Sequence, residues 1–125
     1  MREDTSRSFQ QPDLSEIQGV VDSLCSTHPH LAVALIGSRA KGTPKKYSDW
    51  DLGVTAGGAG LDGLQYIRLK SEVADLAEHL PRSVDLVNLD RAPSWFLENL
   101  NYRPVFLGGD SAQWENFKQR LKPYE

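Results

Sequence analysis

Several features that quickly assign a protein to a class are scarce in this chain. Cys25 is the only cysteine among 125 residues, so no disulfide can form within the chain, and a reducing cytoplasmic setting is expected. No apolar run approaches membrane-spanning length, and the polar N-terminal segment lacks the apolar core of a secretory signal. We therefore expect neither a signal peptide nor a membrane partner.

An excess of positive charge is absent as well. The formal net charge is -3, and the sequence pI is near 5.6. Proteins that grip a long nucleic acid are usually basic, so a template-bound role is disfavoured. The apolar fraction of 39% and the charged fraction of 25% are typical of a globular domain. We predict a disordered polar tail over residues 1–11 and a single domain over residues 12–125.

Helix and strand patterns alternate along the predicted domain. Apolar spacing predicts helices over residues 13–27, 38–42, 61–80, 94–101 and 111–121. Continuous or alternating apolar runs predict strands over 31–36, 49–55, 83–89 and 104–109. We expect Asp13 or Ser15, Ser38 and Ser94 to cap the first, second and fourth helices. This order predicts an α/β (α+β) domain with a small mixed sheet of three to four strands flanked by helices.

The stretch "IGSRAKGTPKKYSDWDLGV", residues 36–54, places two acids at the mouth of a strand. Side chains alternate along a strand, so Asp49 and Asp51 are predicted to share one face. Two neighbouring carboxylates stay ionised at low cost only beside positive charge. Mg²⁺ takes carboxylate oxygens, and substrate phosphates often complete its shell. The acids therefore predict a metal site that receives a nucleotide.

The Gly-Ser pair at the start of this stretch predicts the phosphate side of that site. Gly37 lets the backbone approach a ligand closely. Ser38 is predicted to begin a helix whose free N–H groups favour an anion. Arg39 and Lys41 add cationic side chains nearby, so a triphosphate can lie between this turn and the metal.

A third acid, Asp85, lies in the middle of an apolar strand, where we expect it to be buried and costly unless paired or metal-bound. If its strand lies beside the second strand, Asp85 completes a cluster of three carboxylates and can take the proton of an incoming hydroxyl. Each residue also has a structural interpretation. Asp49 and Asp51 can be solvated turn acids, Asp85 an edge acid or a member of an ion pair, and Ser38 a plain helix cap.

These residues together resemble the minimal nucleotidyltransferase family of the DNA polymerase beta-like superfamily. The resemblance covers residues 14–107 and rests on Gly37-Ser38, ten intervening residues, Asp49-Trp50-Asp51, and Asp85 on a later strand. It implies the polymerase-beta-like nucleotidyltransferase fold and transfer of a nucleoside monophosphate from an NTP to a hydroxyl, with release of pyrophosphate. It also implies two Mg²⁺ ions, with Mn²⁺ as an alternative, held by the three acids. Trp50 replaces a more usual aliphatic residue, and we expect it to pack on the opposite face.

The same resemblance implies an antitoxin. Many such proteins are encoded beside a HEPN-domain ribonuclease toxin, and some transfer AMP onto a tyrosine of that toxin. We therefore expect a cytoplasmic protein adenylyltransferase that uses ATP and pairs with a HEPN toxin, with homo- and hetero-oligomers both open. Two alternatives remain: a module that neutralises the toxin by contact without turnover, and an adenylyltransferase of small molecules of the aminoglycoside type. The role of the glycine-rich loop at 56–63 stays open.

Overall fold

The computed structural model describes residues 14–41, 49–57, 60–100 and 104–124. Within these ranges the helices are α1 Gln18–Thr27, α2 Gly37–Lys41, α3 Gly63–Leu76, α4 Ser94–Glu98 and α5 Ser111–Leu121. The strands are β1 Ala32–Ile36, β2 Trp50–Thr55, β3 Val84–Asn88 and β4 Val105–Gly109. Short 3₁₀ turns follow β3 at Leu89–Arg91 and α5 at Lys122–Tyr124. The predicted tail at 1–11, Asp13 and Gly42 lie outside the described residues.

The four strands form one mixed sheet in the order β3-β2-β1-β4. β1 pairs antiparallel with both β2 and β4, whereas β2 and β3 are parallel. A parallel pair needs a crossover connection, and α3 supplies it. The predicted α/β class and the mixed sheet are confirmed.

One face of the sheet packs against α1 and α3, and we call it the covered face. Its buried side chains alternate along the strands: Val33 and Leu35 from β1, Trp50, Leu52 and Val54 from β2, and Leu86 from β3. Trp50 is only 2% exposed, and its indole N–H donates to Glu16 Oε2 at 2.8 Å. The indole N–H is thereby satisfied inside the core. Trp50 therefore packs away from the acids, as expected.

The other face carries Asp51 and Asp85, and we call it the acidic face. Toward β1 it is closed by a second apolar cluster, in which α5 and the segments flanking α4 cover the sheet. The cluster members are Ala32, Ala34, Ile36, Leu89, Leu100, Trp114, Phe117 and Leu121. Burial on both faces explains why "LAVALI" reads as a continuous apolar run.

Three predicted helix caps are wrong. Ser15 does not cap α1, because residues 15–17 form a turn and the helix begins at Gln18 without a side-chain cap. Ser38 lies inside α2, which begins at Gly37. Ser94 is the first residue of α4, and the restricted backbone of Pro93 supplies the extended cap position. Local propensity identified the helices, and the first residues of α4 and α5, but not these cap positions.

The glycine-rich loop after β2 is held by one buried carboxylate. Asp90 Oδ2 accepts hydrogen bonds from the backbone N–H groups of Ala56 and Leu61 at 2.8 and 3.0 Å. Its Oδ1 accepts from the Thr55 hydroxyl at 2.5 Å and from Arg120 at 2.9 Å. Since Thr55 ends β2 and Asp51 lies near its start, the described part of this loop is a structural feature at the far end of the strand from the acids.

In the described ranges, no helix combines the length and apolar character needed to cross a membrane.

Candidate active site

Strand register brings the predicted acids together. Asp51 in β2 is the direct partner of Asp85 in β3, and directly paired residues of parallel strands share a face. Asp49 lies two residues before Asp51. Burial raises the pKa of Asp51, and the negative charges of Asp85 and Asp49 raise it further. The three carboxylates are therefore close enough to repel one another.

The expectation that Asp85 is buried is wrong. Its residue is exposed, whereas Leu86 beside it is buried. The reason is the sheet order: β3 is an edge strand, and the second apolar cluster covers the acidic face nearer β1. An exposed carboxylate loses no solvation, so Asp85 needs no partner to persist there. Solvent access also lets it exchange protons with water.

The predicted turn meets the acid directly. Gly37 follows Ile36, which is the cross-strand partner of Asp51. Gly37 has a φ of +77°, a conformation that other residues rarely adopt. A Cβ built on it would overlap the Asp51 carboxylate. The conformation therefore favours glycine here, and a side chain would have to displace the Asp51 carboxylate, so the backbone of the turn lies against the acid.

A cavity of about 390 Å³ opens at this junction. Gly37, Ser38, Lys41 and Asp51 are among the residues that line it. Its volume lies within the range of small-molecule sites, roughly 300–1,000 Å³. The structure thus brings four of the seven predicted site residues to one cavity, with Asp49 and Asp85 beside Asp51. Their roles in catalysis and binding stay predictions.

Arg39 is placed elsewhere. Its guanidinium carbon lies 4.3 Å from the centroid of the Trp50 ring, a cation–π contact. Trp50 belongs to the covered face, so this contact directs Arg39 away from the cavity that Ser38 and Lys41 line. The predicted contact between Arg39 and the nucleotide stays a prediction.

The donor set suits a hard divalent cation. Asp49, Asp51 and Asp85 offer carboxylate oxygens. Burial first, and then the charges of Asp85 and Asp49, raise the pKa of Asp51, and a bound cation would oppose both effects. Across the described ranges, no three His, Cys, Asp or Glu side chains are arranged as a metal-holding group. The acids are therefore neighbours of suitable chemistry rather than an assembled metal site.

Sequence reasoning missed four further residues that line the cavity. They are Val87, Phe96, Asn99 and Leu100, and three of them come from α4 and the residues just after it. Nothing in the sequence marked Phe96 or Asn99 as part of the site. Their position depends on how the segment after β3 folds back over the acidic face, which no local pattern encodes.

A mixed sheet that presents three neighbouring carboxylates beside a Gly-Ser turn defines the polymerase beta-like class of nucleotidyltransferases. In agreement, the family model "Polymerase beta, Nucleotidyltransferase" matches residues 21–107. The chain belongs to this family. Among curated proteins, none matches the chain significantly.

Several solved structures with a similar fold are toxin–antitoxin complexes. One, described as a toxin-antitoxin with AMP-PNP, is 26% identical with a TM-score of 0.64, covering 88% of this chain and 86% of its own. An MntA-HepT complex is 21% identical with a TM-score of 0.62, covering 89% and 85%. A third contains a tri-AMPylated HEPN toxin from Shewanella oneidensis with an MNT antitoxin; it is 24% identical with a TM-score of 0.57, covering 83% and 78%. The last two show likeness of fold alone.

Proposed function

We propose that this chain transfers AMP from ATP to a hydroxyl on a HEPN-domain toxin partner and so acts as its antitoxin. The observation that carries the proposal is the junction at Asp51. There Gly37, with its left-handed backbone, Ser38 and Lys41 line one cavity together with the acid, and Asp85 is paired beside it. This junction joins a phosphate-binding turn to acids that can hold metal and move a proton.

Each residue has a distinct part in the proposed reaction. The Gly37 backbone and the Ser38 hydroxyl hold the triphosphate, and Lys41 adds positive charge from the same cavity wall. Asp49 and Asp51 would hold Mg²⁺, with Asp85 completing the set. When bound, the metal supplies neutralisation of the phosphate charge that develops during transfer. The positioning of these groups is the main contribution of the chain.

The proposed step is a displacement at the α-phosphorus of ATP. The acceptor oxygen forms a bond to that phosphorus while the bond to the bridging oxygen of the leaving pyrophosphate breaks. The hydroxyl proton passes to the Asp85 carboxylate, which then releases it to water because Asp85 is solvent-exposed. A phosphodiester between AMP and the acceptor remains.

The choice of nucleotide and partner is supported by the structural neighbours. The neighbour at 26% identity is a toxin-antitoxin with AMP-PNP. Another pairs an MNT antitoxin with a tri-AMPylated HEPN toxin. We place the reaction in the cytoplasm, where ATP and Mg²⁺ are both supplied.

The test is co-expression with the product of the adjacent gene, followed by measurement of the partner's intact mass after incubation with ATP and Mg²⁺. We expect the mass to rise by one or more adenylate groups on a tyrosine, serine or threonine. The Asp49→Asn/Asp51→Asn protein should leave the partner unmodified. Asp75→Asn, a neutralised acid on the exposed side of α3, is the matched control and should modify it normally.

The two alternatives give different outcomes in the same experiment. An unmodified partner that the Asp49→Asn/Asp51→Asn protein still neutralises would establish neutralisation by contact. Transfer of AMP to an aminoglycoside, with the partner left unmodified, would establish a small-molecule enzyme.

A further inference from the structure

The cavity beside Asp51 has two chemically unlike kinds of lining residue. Gly37, Ser38 and Lys41 suit phosphate, whereas Val87, Phe96 and Leu100 add apolar surface to the same cavity. A nucleotide also combines two kinds of surface, with anionic phosphates at one end and an aromatic base at the other. The apolar part of the lining therefore has the chemistry of a base-binding wall.

We propose that this wall selects the base of the nucleotide: Phe96 stacks on the ring, and Asn99 accepts a hydrogen bond from an exocyclic amino group. The inference rests on the proposed nucleotidyl transfer and adds a specificity determinant to it. Phe96 and Asn99 contact the substrate only through its base, so they take no part in the chemical step.

Phe96 is held as a stacking surface by its neighbour. The Trp95 and Phe96 rings meet edge to face, with centroids 5.9 Å apart and planes at 74°. Phe96 is half-buried, whereas Trp95 is 64% exposed. The exposed ring thus supports the partly buried ring that lines the cavity. Every base can stack on an aromatic ring, so Phe96 contributes affinity but does not discriminate between bases.

Asn99 is the residue that discriminates between bases. Its Nδ2 donates to the backbone carbonyl of Trp95 at 3.0 Å, just after the last residue of α4. Because that bond engages Nδ2, we infer that Oδ1 is the atom that Asn99 offers to the cavity it lines. Among the described residues, Oδ1 accepts no hydrogen bond. An oxygen in this position accepts from an amino group and repels a carbonyl oxygen.

This geometry predicts preference for a base with an exocyclic amino group. ATP and ITP provide the cleanest comparison, because inosine carries a carbonyl oxygen where adenosine carries the amino group. In the wild-type protein, with Mg²⁺ present, we expect ATP to bind about tenfold more tightly than ITP. The measurement is calorimetric titration of each nucleotide into the folded chain.

Variants separate the two proposed roles. Asn99→Ala should weaken ATP binding to the level of ITP and leave ITP unchanged, while Asn116→Ala, an exposed asparagine on α5, should preserve the wild-type ratio. Phe96→Leu should weaken the binding of both nucleotides about tenfold. Phe96→Tyr should bind both with wild-type affinity, because it keeps an aromatic ring. Circular dichroism confirms that each variant is folded.

The outcomes distinguish this inference from the proposed function. Equal binding of ATP and ITP by the wild-type protein would overturn base selection while leaving nucleotidyl transfer intact. An equal loss of affinity for both nucleotides in Asn99→Ala would show that Asn99 only supports α4. That result would also overturn base selection. If neither nucleotide binds the wild-type protein, the proposed function fails as well.

Discussion

At the residue scale, the site depends on a contact that leaves room for no side chain. Gly37 has a left-handed backbone, and the Asp51 carboxylate occupies the space where a Cβ would lie. Sequence reasoning assigned Gly37 to close approach of a ligand. The structure shows that the nearest group is an acid of the chain itself.

Replacing Gly37 should therefore affect both stability and activity. Gly37→Ala forces a positive φ on alanine and pushes the Asp51 carboxylate aside, so we expect a loss of about 1–3 kcal/mol in the free energy of unfolding. AMP transfer should fall by roughly 100-fold because the acid is displaced. Urea unfolding and initial rates measure the two effects.

Gly19→Ala is the matched control for this substitution. Gly19 lies in α1 with open space around its Cα, so alanine should stabilise the chain by about 0.5–1 kcal/mol and leave transfer unchanged. Wild-type transfer by Gly37→Ala would contradict the interpretation of the turn.

The charge on Asp51 should cost stability when no cation is bound. Its folded-state pKa lies above the ordinary value of 3.8, so the folded state binds this proton more tightly than the unfolded state does. Protonated Asp51 therefore contributes stability that is fully present below about pH 3.8. This contribution is lost as the pH rises through the raised pKa of Asp51.

Asp51→Asn should therefore raise the free energy of unfolding at pH 7 in metal-free buffer, although it abolishes transfer. The gain should shrink as pH falls toward 4. Thermal melts over a pH series measure it, with Asp75→Asn expected to change little. A lower melting temperature for Asp51→Asn at pH 7 would show that the carboxylate makes a stabilising contact.

At the element scale, Asp90 ties three parts of the chain together. It accepts from the end of β2, from the glycine-rich loop and from Arg120 on α5, and its side chain is only 5% exposed. The sequence did not show this role, because the partners come from segments far apart along the chain. Several donors to one buried carboxylate make a strongly coupled network.

Removing that carboxylate should leave the donors unpaired. For Asp90→Ala we expect a loss of about 3–5 kcal/mol in the free energy of unfolding, measured by urea denaturation. Asp62→Ala removes only the side-chain cap of α3 and should cost about 1 kcal/mol. Equal effects of the two substitutions would mean that the network adds nothing beyond one capping bond.

At the scale of the whole molecule, the described fold is held by two apolar clusters on opposite faces of one sheet. Neither cluster includes the acids. We therefore expect the metal to be needed for the proposed chemistry but not for the fold.

Removing metal should accordingly separate activity from stability. In EDTA we expect transfer to be lost while the melting temperature changes by less than about 2 °C, because the apolar clusters remain intact. Adding ATP with Mg²⁺ should raise the melting temperature by a few degrees through binding to the folded state. Differential scanning fluorimetry measures both, and a large fall in EDTA alone would indicate a structural metal.

Much of this architecture could be predicted from local patterns. The apolar run at residues 31–36 and the spacing of Asp49, Asp51 and Asp85 placed the strands and the acids, because alternation determines which side chains share a face. The exposure of Asp85 could not be predicted, since it depends on which strand lies at the sheet edge. Nor could the cavity wall formed by Phe96 and Asn99, which depends on a tertiary fold-back.

The parallel pairing of β2 with β3 also has a consequence for the order of events in biosynthesis. Asp51 gains its neighbour Asp85 only when the chain has passed through α3 and returned to the sheet. A nascent chain that ends before β3 cannot place these acids side by side, however well its earlier segments fold. Closing such a distant contact is also slower than forming a local one. Catalytic competence should therefore appear abruptly and late, once β3 has joined the sheet.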